Sequence, residues 1–173
     1  MENNTKYVTA KQQEEIESEL IYFGYTPSFD EIIDNIFIGN YAFALNKCLL
    51  LENKITHILN CGVGLKNFYE QEKKFKYHYI PLYDSENQKV GKYLDDSNKF
   101  IEEGCSNGNK ILIHCGAGMS RSVTMLYMYL LIKKGYTFSQ AKQIVKTKRK
   151  CARPNDGFRK QLEQKSFELY NRL

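Results

Sequence analysis

The hydrophobic pattern changes period several times along the chain, and each change predicts an element. Ile111, Leu112 and Ile113 stand together between Lys110 and His114. A branched apolar run without polar alternation fits a strand covered on both faces, as in the middle of a parallel sheet. Ser122 to Ile132 follows closely and is apolar on nearly every face, which predicts a buried helix. Ile55 to Cys61 and Lys76 to Tyr83 read as two more strands. Glu31 to Gly39 reads as two short strands around an Asp34-Asn35 turn. Helical spacing predicts a helix over Tyr41 to Glu52, through Ala42, Leu45, Leu49 and Leu50, and a weaker one over Val90 to Glu103, through Leu94, Phe100 and Ile101. Thr137-x-x-Gln140 is a capping box for a helix running to about Lys150. Pro154-Asn155 breaks that pattern, and a last helix covers roughly Gly157 to Leu173. Strands alternating with helices imply an α/β fold: a central, mostly parallel sheet flanked by helices on both faces.

The N-terminal part is different. Residues 1–10 are polar, and Lys11 to Phe23 reads as a short helix crowded by Glu14, Glu15, Glu17 and Glu19. The expected organisation is a partly helical extension over 1–28 and a single domain over 29–173, a size that buries a core without staples.

Composition narrows the classes. A net charge of +5 suits an anionic substrate but falls short of a dedicated nucleic-acid binder. The five cysteines (Cys48, Cys61, Cys105, Cys115 and Cys151) are odd in number and form no Cys-x-x-Cys pair. That argues against a disulfide framework and a thiolate zinc site, so no metal or cofactor is expected. A reducing compartment fits, the cytoplasm by default and the nucleus as a second location. No apolar run approaches the ~20 residues that span a bilayer, so no membrane insertion is expected.

The chemistry concentrates in His114-Cys115-Gly116-Ala117-Gly118-Met119-Ser120-Arg121-Ser122, between the buried strand and the buried helix. A loop in that position can turn its amides toward one point, where the helix N-terminus adds positive potential. Gly116 and Gly118 supply the dihedrals that curl an anion nest, and Arg121 can grip two phosphate oxygens with its planar fork. A cysteine at the base of such a nest is expected to ionise well below the ~8.5 of a free thiol and to attack phosphorus. Any of these residues alone reads as packing or a plain turn; the combination is specific. No Gly-x4-Gly-Lys-Ser/Thr nucleotide loop occurs. The leaving oxygen needs a proton, so a carboxylic acid must reach the far side of the phosphate. Asp84, just after the strand ending at Tyr83, is the leading candidate; Glu86, Asp95 and Asp96 are the alternatives, the last two inside a predicted helix.

These residues resemble the cysteine-dependent protein phosphatases, and with Ala117-Gly118 and Ser120-Arg121-Ser122 they resemble the dual-specificity phosphatases most. Pro154-Asn155-Asp156-Gly157-Phe158 with Gln161-Leu162 is similar to that family's Pro-Asn-x-Gly-Phe-x2-Gln-Leu segment. Asp84, 31 positions before Cys115, matches the family's general-acid position. The resemblance spans roughly Phe29 to Tyr170 and makes 29–173 a catalytic domain. It implies a phosphocysteine intermediate on Cys115, with phosphate held by Arg121 and the amides of Gly116, Ala117, Gly118, Met119, Ser120 and Arg121. It implies Asp84 as acid and then base, and Ser122 as hydrogen-bond donor to the sulfur. His114 would orient the loop, and Asn155 would buttress it. The loop's depth in the chain argues against the low-molecular-weight phosphatases. The lack of a recognition-loop insertion argues against the tyrosine-only enzymes. The expected substrates are proteins carrying phosphotyrosine and phosphoserine or phosphothreonine.

Phosphoinositide or RNA 5′-phosphate hydrolysis by the same chemistry is the main alternative. The uncharged loop interior opposes it, and the basic run Lys146, Lys148, Arg149, Lys150 and Arg153 favours it unless that run is a solvated helix face. A non-catalytic phosphoprotein-binding module is the other alternative, opposed by the presence of both Cys115 and Arg121. Cys61 and Cys151 are candidates to resolve an oxidised Cys115 as a disulfide.

Overall fold

The computed structural model describes residues 9–24 and 26–171. The polar stretch 1–8 and the end of the expected last helix, residues 172–173, lie outside the described residues. The elements run α1 (Ala10–Phe23), β1 (Phe29–Ile33), β2 (Ile36–Gly39), α2 (Tyr41–Leu45), α3 (Lys47–Glu52), β3 (His57–Asn60) and β4 (Lys76–Tyr79). A single 3-10 turn (Gly91–Tyr93) then leads into α4 (Leu94–Gly104), followed by β5 (Ile111–His114), α5 (Arg121–Lys134), α6 (Phe138–Lys148) and α7 (Asp156–Tyr170).

The sheet order is β1-β2-β5-β3-β4. Only β1 runs antiparallel, against β2; the other three pairings are parallel. β5 is central and buried throughout, as its unbroken apolar run requires. Side-chain alternation splits the core. Ile36, Ile38, Leu59, Ile111 and Ile113 face a cluster with residues of α4, α5, α6 and α7, while Phe37, Ile58 and Leu112 face a second cluster with Tyr41, Phe43, Leu50 and Tyr69. Helices therefore cover both faces, and α5 is buried at every position from Ser122 to Leu131. In α1 the Thr9 side chain and Gln12 form a capping box, and Ile16 is buried in the second cluster.

Two expectations need correction. The helix predicted over Tyr41 to Glu52 is two helices, because Asn46 leaves helical dihedrals and its side chain accepts from Leu49 N to start a new N-terminus. The strand predicted over Lys76 to Tyr83 ends at Tyr79, since Pro81 cannot donate to a ladder. The parallel strands all point the same way, so the segments leaving β2, β3, β4 and β5 gather at one edge, where α/β sheets carry their ligands.

Candidate active site

The loop from Cys115 to Ser120 leaves β5 at that edge, and its carbonyls are held from outside. Gly116 O accepts from Tyr41 N at 2.9 Å, and Met119 O accepts from Arg153 N at 2.7 Å. Gly118 O accepts from Arg149 Nε at 2.6 Å, and Ala117 O accepts from the same guanidinium at 3.4 Å. Ser120 O accepts from Thr124, inside α5. With the carbonyls turned outward, the amides turn inward. Among the described residues no amide from Gly116 to Arg121 donates to a protein acceptor. Gly118 is indispensable to this curl: its φ is +66°, and a Cβ there would lie 2.5 Å from Gly39 O.

Cys115 sits at the base of the loop, buried, with its Sγ 3.4 Å from Ser122 Oγ. Arg121 opens α5, donates to Leu82 O at 3.3 Å and sets its Nε 3.9 Å from Asp84 Oδ2. Among the described residues that Nε is buried without a hydrogen-bond acceptor, a cost that a bound anion removes. His114 is fully buried and stacks on Tyr41 at 6.0 Å between ring centroids. Burial, assisted by the nearby Arg121 charge, depresses its pKa to about 4, so the ring is neutral and is no base at ordinary pH. Cys61 follows β3 where Cys115 follows β5, their preceding residues Asn60 and His114 being paired. Burial pushes the Cys61 thiol well up, Cys115 adds to that, and Arg121 opposes it. Of the two candidate resolving cysteines, Cys61 is this neighbour, and Cys151 is exposed.

Asp84 reaches the loop from the opposite side. Its Oδ1 accepts from Ser120 Oγ at 2.7 Å and from Asn155 Nδ2 at 2.8 Å. Its side chain is 39% exposed. Asn155 joins three parts at once. Its Oδ1 caps α7 by accepting from Phe158 N, its own N–H donates to Ser120 Oγ at 3.1 Å, and its amide holds Asp84. Asn155 thus ties Asp84 to the Cys115–Ser120 loop and to the start of α7. Gly157 lets α7 start against the acid segment, since a Cβ there would fall 1.9 Å from Glu86 O. Among the alternatives, Glu86 lines the same 330 Å³ cavity as Asp84 and Ser120. Asp95 and Asp96 lie exposed in the first turn of α4, as a solvated reading requires.

Two residues carry more than the sequence reading gave them. Arg149 falls in the basic run read as a solvated face, yet it is 1% exposed. Besides its two loop carbonyls it pairs with Asp30 at 2.6 Å. An arginine set between Lys148 and Lys150 was the available signal, since its fork suits several acceptors at once. Gln161 donates to Gln88 O at 2.9 Å and accepts from Val90 N at 3.1 Å, clasping the far end of the acid segment to α7.

A strand–loop–helix that presents amides, an arginine and a thiol to one point, with a carboxylate opposite, defines a cysteine-dependent phosphate site. The comparisons agree. The family model described as "Dual specificity phosphatase, catalytic domain" matches residues 36–167. The chain is 40% identical over 134 residues to dual specificity protein phosphatase 1B of Arabidopsis thaliana, covering 78% of this chain and 79% of that one. It is 36% identical over 135 residues to human dual specificity protein phosphatase 22, covering 78% and 72%. Among solved structures, human DUSP28 superposes with a TM-score of 0.77 at 23% identity, covering 84% of this chain and 97% of that one. The Yvh1 phosphatase domain from Chaetomium thermophilum superposes at 0.70 with 31% identity, covering 79% and 94%. The chain belongs to the dual-specificity phosphatases and is a protein phosphatase of the cysteine-dependent superfamily.

Proposed function

We propose that the chain hydrolyses phosphotyrosine and phosphoserine or phosphothreonine in proteins through a phosphocysteine intermediate. One observation carries the reading: the loop that Cys115 opens leaves its amides and the Arg121 Nε without protein acceptors among the described residues, and Asp84 is bonded to its far end at Ser120. In the first step the Cys115 thiolate forms a bond to phosphorus, and the bond from phosphorus to the side-chain oxygen breaks. Asp84, as the carboxylic acid, gives that oxygen its proton. The loop amides and Arg121 stabilise the equatorial oxygens as charge spreads over them. In the second step water attacks phosphorus, Asp84 as carboxylate takes its proton, and the P–S bond breaks. The Ser122 hydroxyl, 3.4 Å from the sulfur, donates to the departing thiolate, and inorganic phosphate leaves. The partial exposure of Asp84 and Met119 at the rim favours a shallow site that admits short as well as long phosphorylated side chains.

The test is turnover of an aryl phosphate and of phosphopeptides carrying each of the three residues. Cys115→Ser should abolish all turnover while leaving the fold intact. Asp84→Asn should slow alkyl phosphates by about 10²–10⁴-fold and p-nitrophenyl phosphate far less, because only a poor leaving group needs the proton. Unchanged rates in Cys115→Ser, or equal slowing of both leaving groups in Asp84→Asn, would refute the assignment. A strong preference for inositol phosphates over phosphopeptides would refute the substrate class.

A further inference from the structure

A cavity of about 280 Å³ lies on the other side of the segment that borders the active site. Its lining includes Tyr127 from α5, Phe138, Lys142 and Lys146 from α6, Arg159 from α7, and Arg153. Ala152 and Pro154 complete it, and Arg153 and Pro154 also line the cavity that holds Asp84 and Ser120. The two cavities therefore share a wall. That wall is anchored to the phosphate loop, through Arg153 N on Met119 O and Asn155 N on Ser120 Oγ. A peptide whose phosphorylated residue enters the loop has a short path over Pro154 into the second cavity.

The lining has a definite chemistry. Phe138, Ala152 and Pro154 make an apolar floor. Four cations surround it, and among the described residues neither Lys142, Lys146 nor Arg153 has a carboxylate partner; Arg159 pairs with Asp156 and Glu163. Tyr127 adds an independent observation. It is 1% exposed, it lines the cavity, and its hydroxyl makes no hydrogen bond among the described residues. Its ring is fixed edge-on against Phe138 at 5.4 Å. With no protein partner and a place in the cavity lining, the hydroxyl is a donor available to a group that supplies an acceptor. Burial raises its pKa to about 12, so it remains a donor.

We propose that this cavity is a substrate subsite that takes a glutamate of the phosphoprotein. Its methylenes pack on Phe138 and Pro154, and its carboxylate accepts from Tyr127 and pairs with Lys142, Lys146 and Arg153. The subsite selects substrates with an acidic residue at one fixed distance from the phosphorylated residue. This rests on the phosphoprotein reading above.

The experiment walks one glutamate, one position at a time, along both sides of the phosphorylated residue in an otherwise neutral peptide, with glutamine at the same position as control. One register should gain about tenfold in kcat/KM over its glutamine control, carried by KM, as a charge-assisted hydrogen bond in a partly buried site provides. Lys142→Glu/Lys146→Glu should abolish or reverse that preference, and Tyr127→Phe should remove part of it. All variants should hydrolyse p-nitrophenyl phosphate at the wild-type rate. Peptides cleaved with no preferred register, or a preference that survives in the charge-reversed variant, would overturn the subsite. So would phosphatidylserine vesicles that bind wild type and not the variant while the peptides show no preference. If p-nitrophenyl phosphate turns over and every peptide is inert, the phosphoprotein reading falls, and the subsite with it.

Discussion

The phosphate loop and the acid segment face each other across the site and are built on opposite principles. The phosphate loop is held by its backbone. Its carbonyls are taken by the Tyr41 and Arg153 amides, by α5 and by the buried Arg149 fork, behind a fully buried strand. The acid segment is held by side chains. Ser120, Asn155 and Gln161 fasten it, and Asp84 is more than a third exposed. Precision in the first comes from partners that have nowhere else to go; in the second it comes from contacts that can open one at a time. That division suits the two tasks proposed for them, since stabilising transition-state charge requires fixed dipoles, whereas an acid that becomes a base must exchange protons with substrate and water.

The sharpest way to break the contrast is to soften the phosphate loop. Arg149→Met leaves two loop carbonyls and Asp30 without their shared donor. Because the Asp30 side chain is 38% exposed, the loss is chiefly that of the carbonyls' donor, roughly 1–3 kcal/mol. We expect a Tm lower by several degrees, with a fall in the affinity for inorganic phosphate. Arg149→Lys should recover only part of both, because an ammonium cannot reach three acceptors with one planar fork. A Tm equal to wild type would mean that the loop keeps its shape without Arg149. Calorimetry of the three proteins, with and without phosphate, decides this.

The same contrast governs what could be read from the sequence. β5 and α5 were legible because burial on all sides leaves an unbroken apolar record in Ile111–Ile113 and Met125–Ile132. Cys115, Arg121 and their glycines were legible because a strand–loop–helix concentrates its chemistry in nine consecutive residues. The role of Arg149 was not, because its partners at Ala117, Gly118 and Asp30 are backbone groups and a distant carboxylate. Hydrogen bonds to carbonyls leave no mark on the residues that supply them. Asn155 was placed through resemblance only, and its hold on Asp84 depends on how α7 is capped. The break at Asn46 was hidden for a related reason: the apolar spacing continues through it, and only the capping chemistry of asparagine marks the stop.

A second expectation concerns pH and tests how far the phosphate loop depends on burial. His114 titrates at about 4 in the folded chain against 6.5 when unfolded. Between those values the unfolded chain binds the extra proton and the folded chain does not, so stability rises with pH. The contribution is fully present above 6.5 and is lost as pH falls toward 4, on the order of 3 kcal/mol in all. His57, depressed mainly by burial, acts in the same direction. Tm measured from pH 7 to 4.5 should therefore fall, and it should fall less steeply in His114→Gln. Identical slopes would mean that the buried ring beneath the loop is not what limits acid stability.

The smallest expected effect lies on the other side of the comparison, at Gln161. Its amide is the clasp farthest from Asp84, and its loss frees the end of the acid segment at Gln88 and Val90 without touching Cys115, Arg121 or any loop carbonyl. Gln161→Ala should lower kcat on alkyl phosphates about tenfold, equivalent to ~1.4 kcal/mol, and should leave the affinity for inorganic phosphate unchanged. The decisive measurement is the double variant. If Gln161 acts only by placing Asp84, then adding Gln161→Ala to Asp84→Asn should cost almost nothing further, because the positioned group no longer transfers a proton. Additive losses would instead mean that α7 supports the phosphate loop directly. The two halves of the site would then be one mechanical unit, with no rigid cradle distinct from its movable acid.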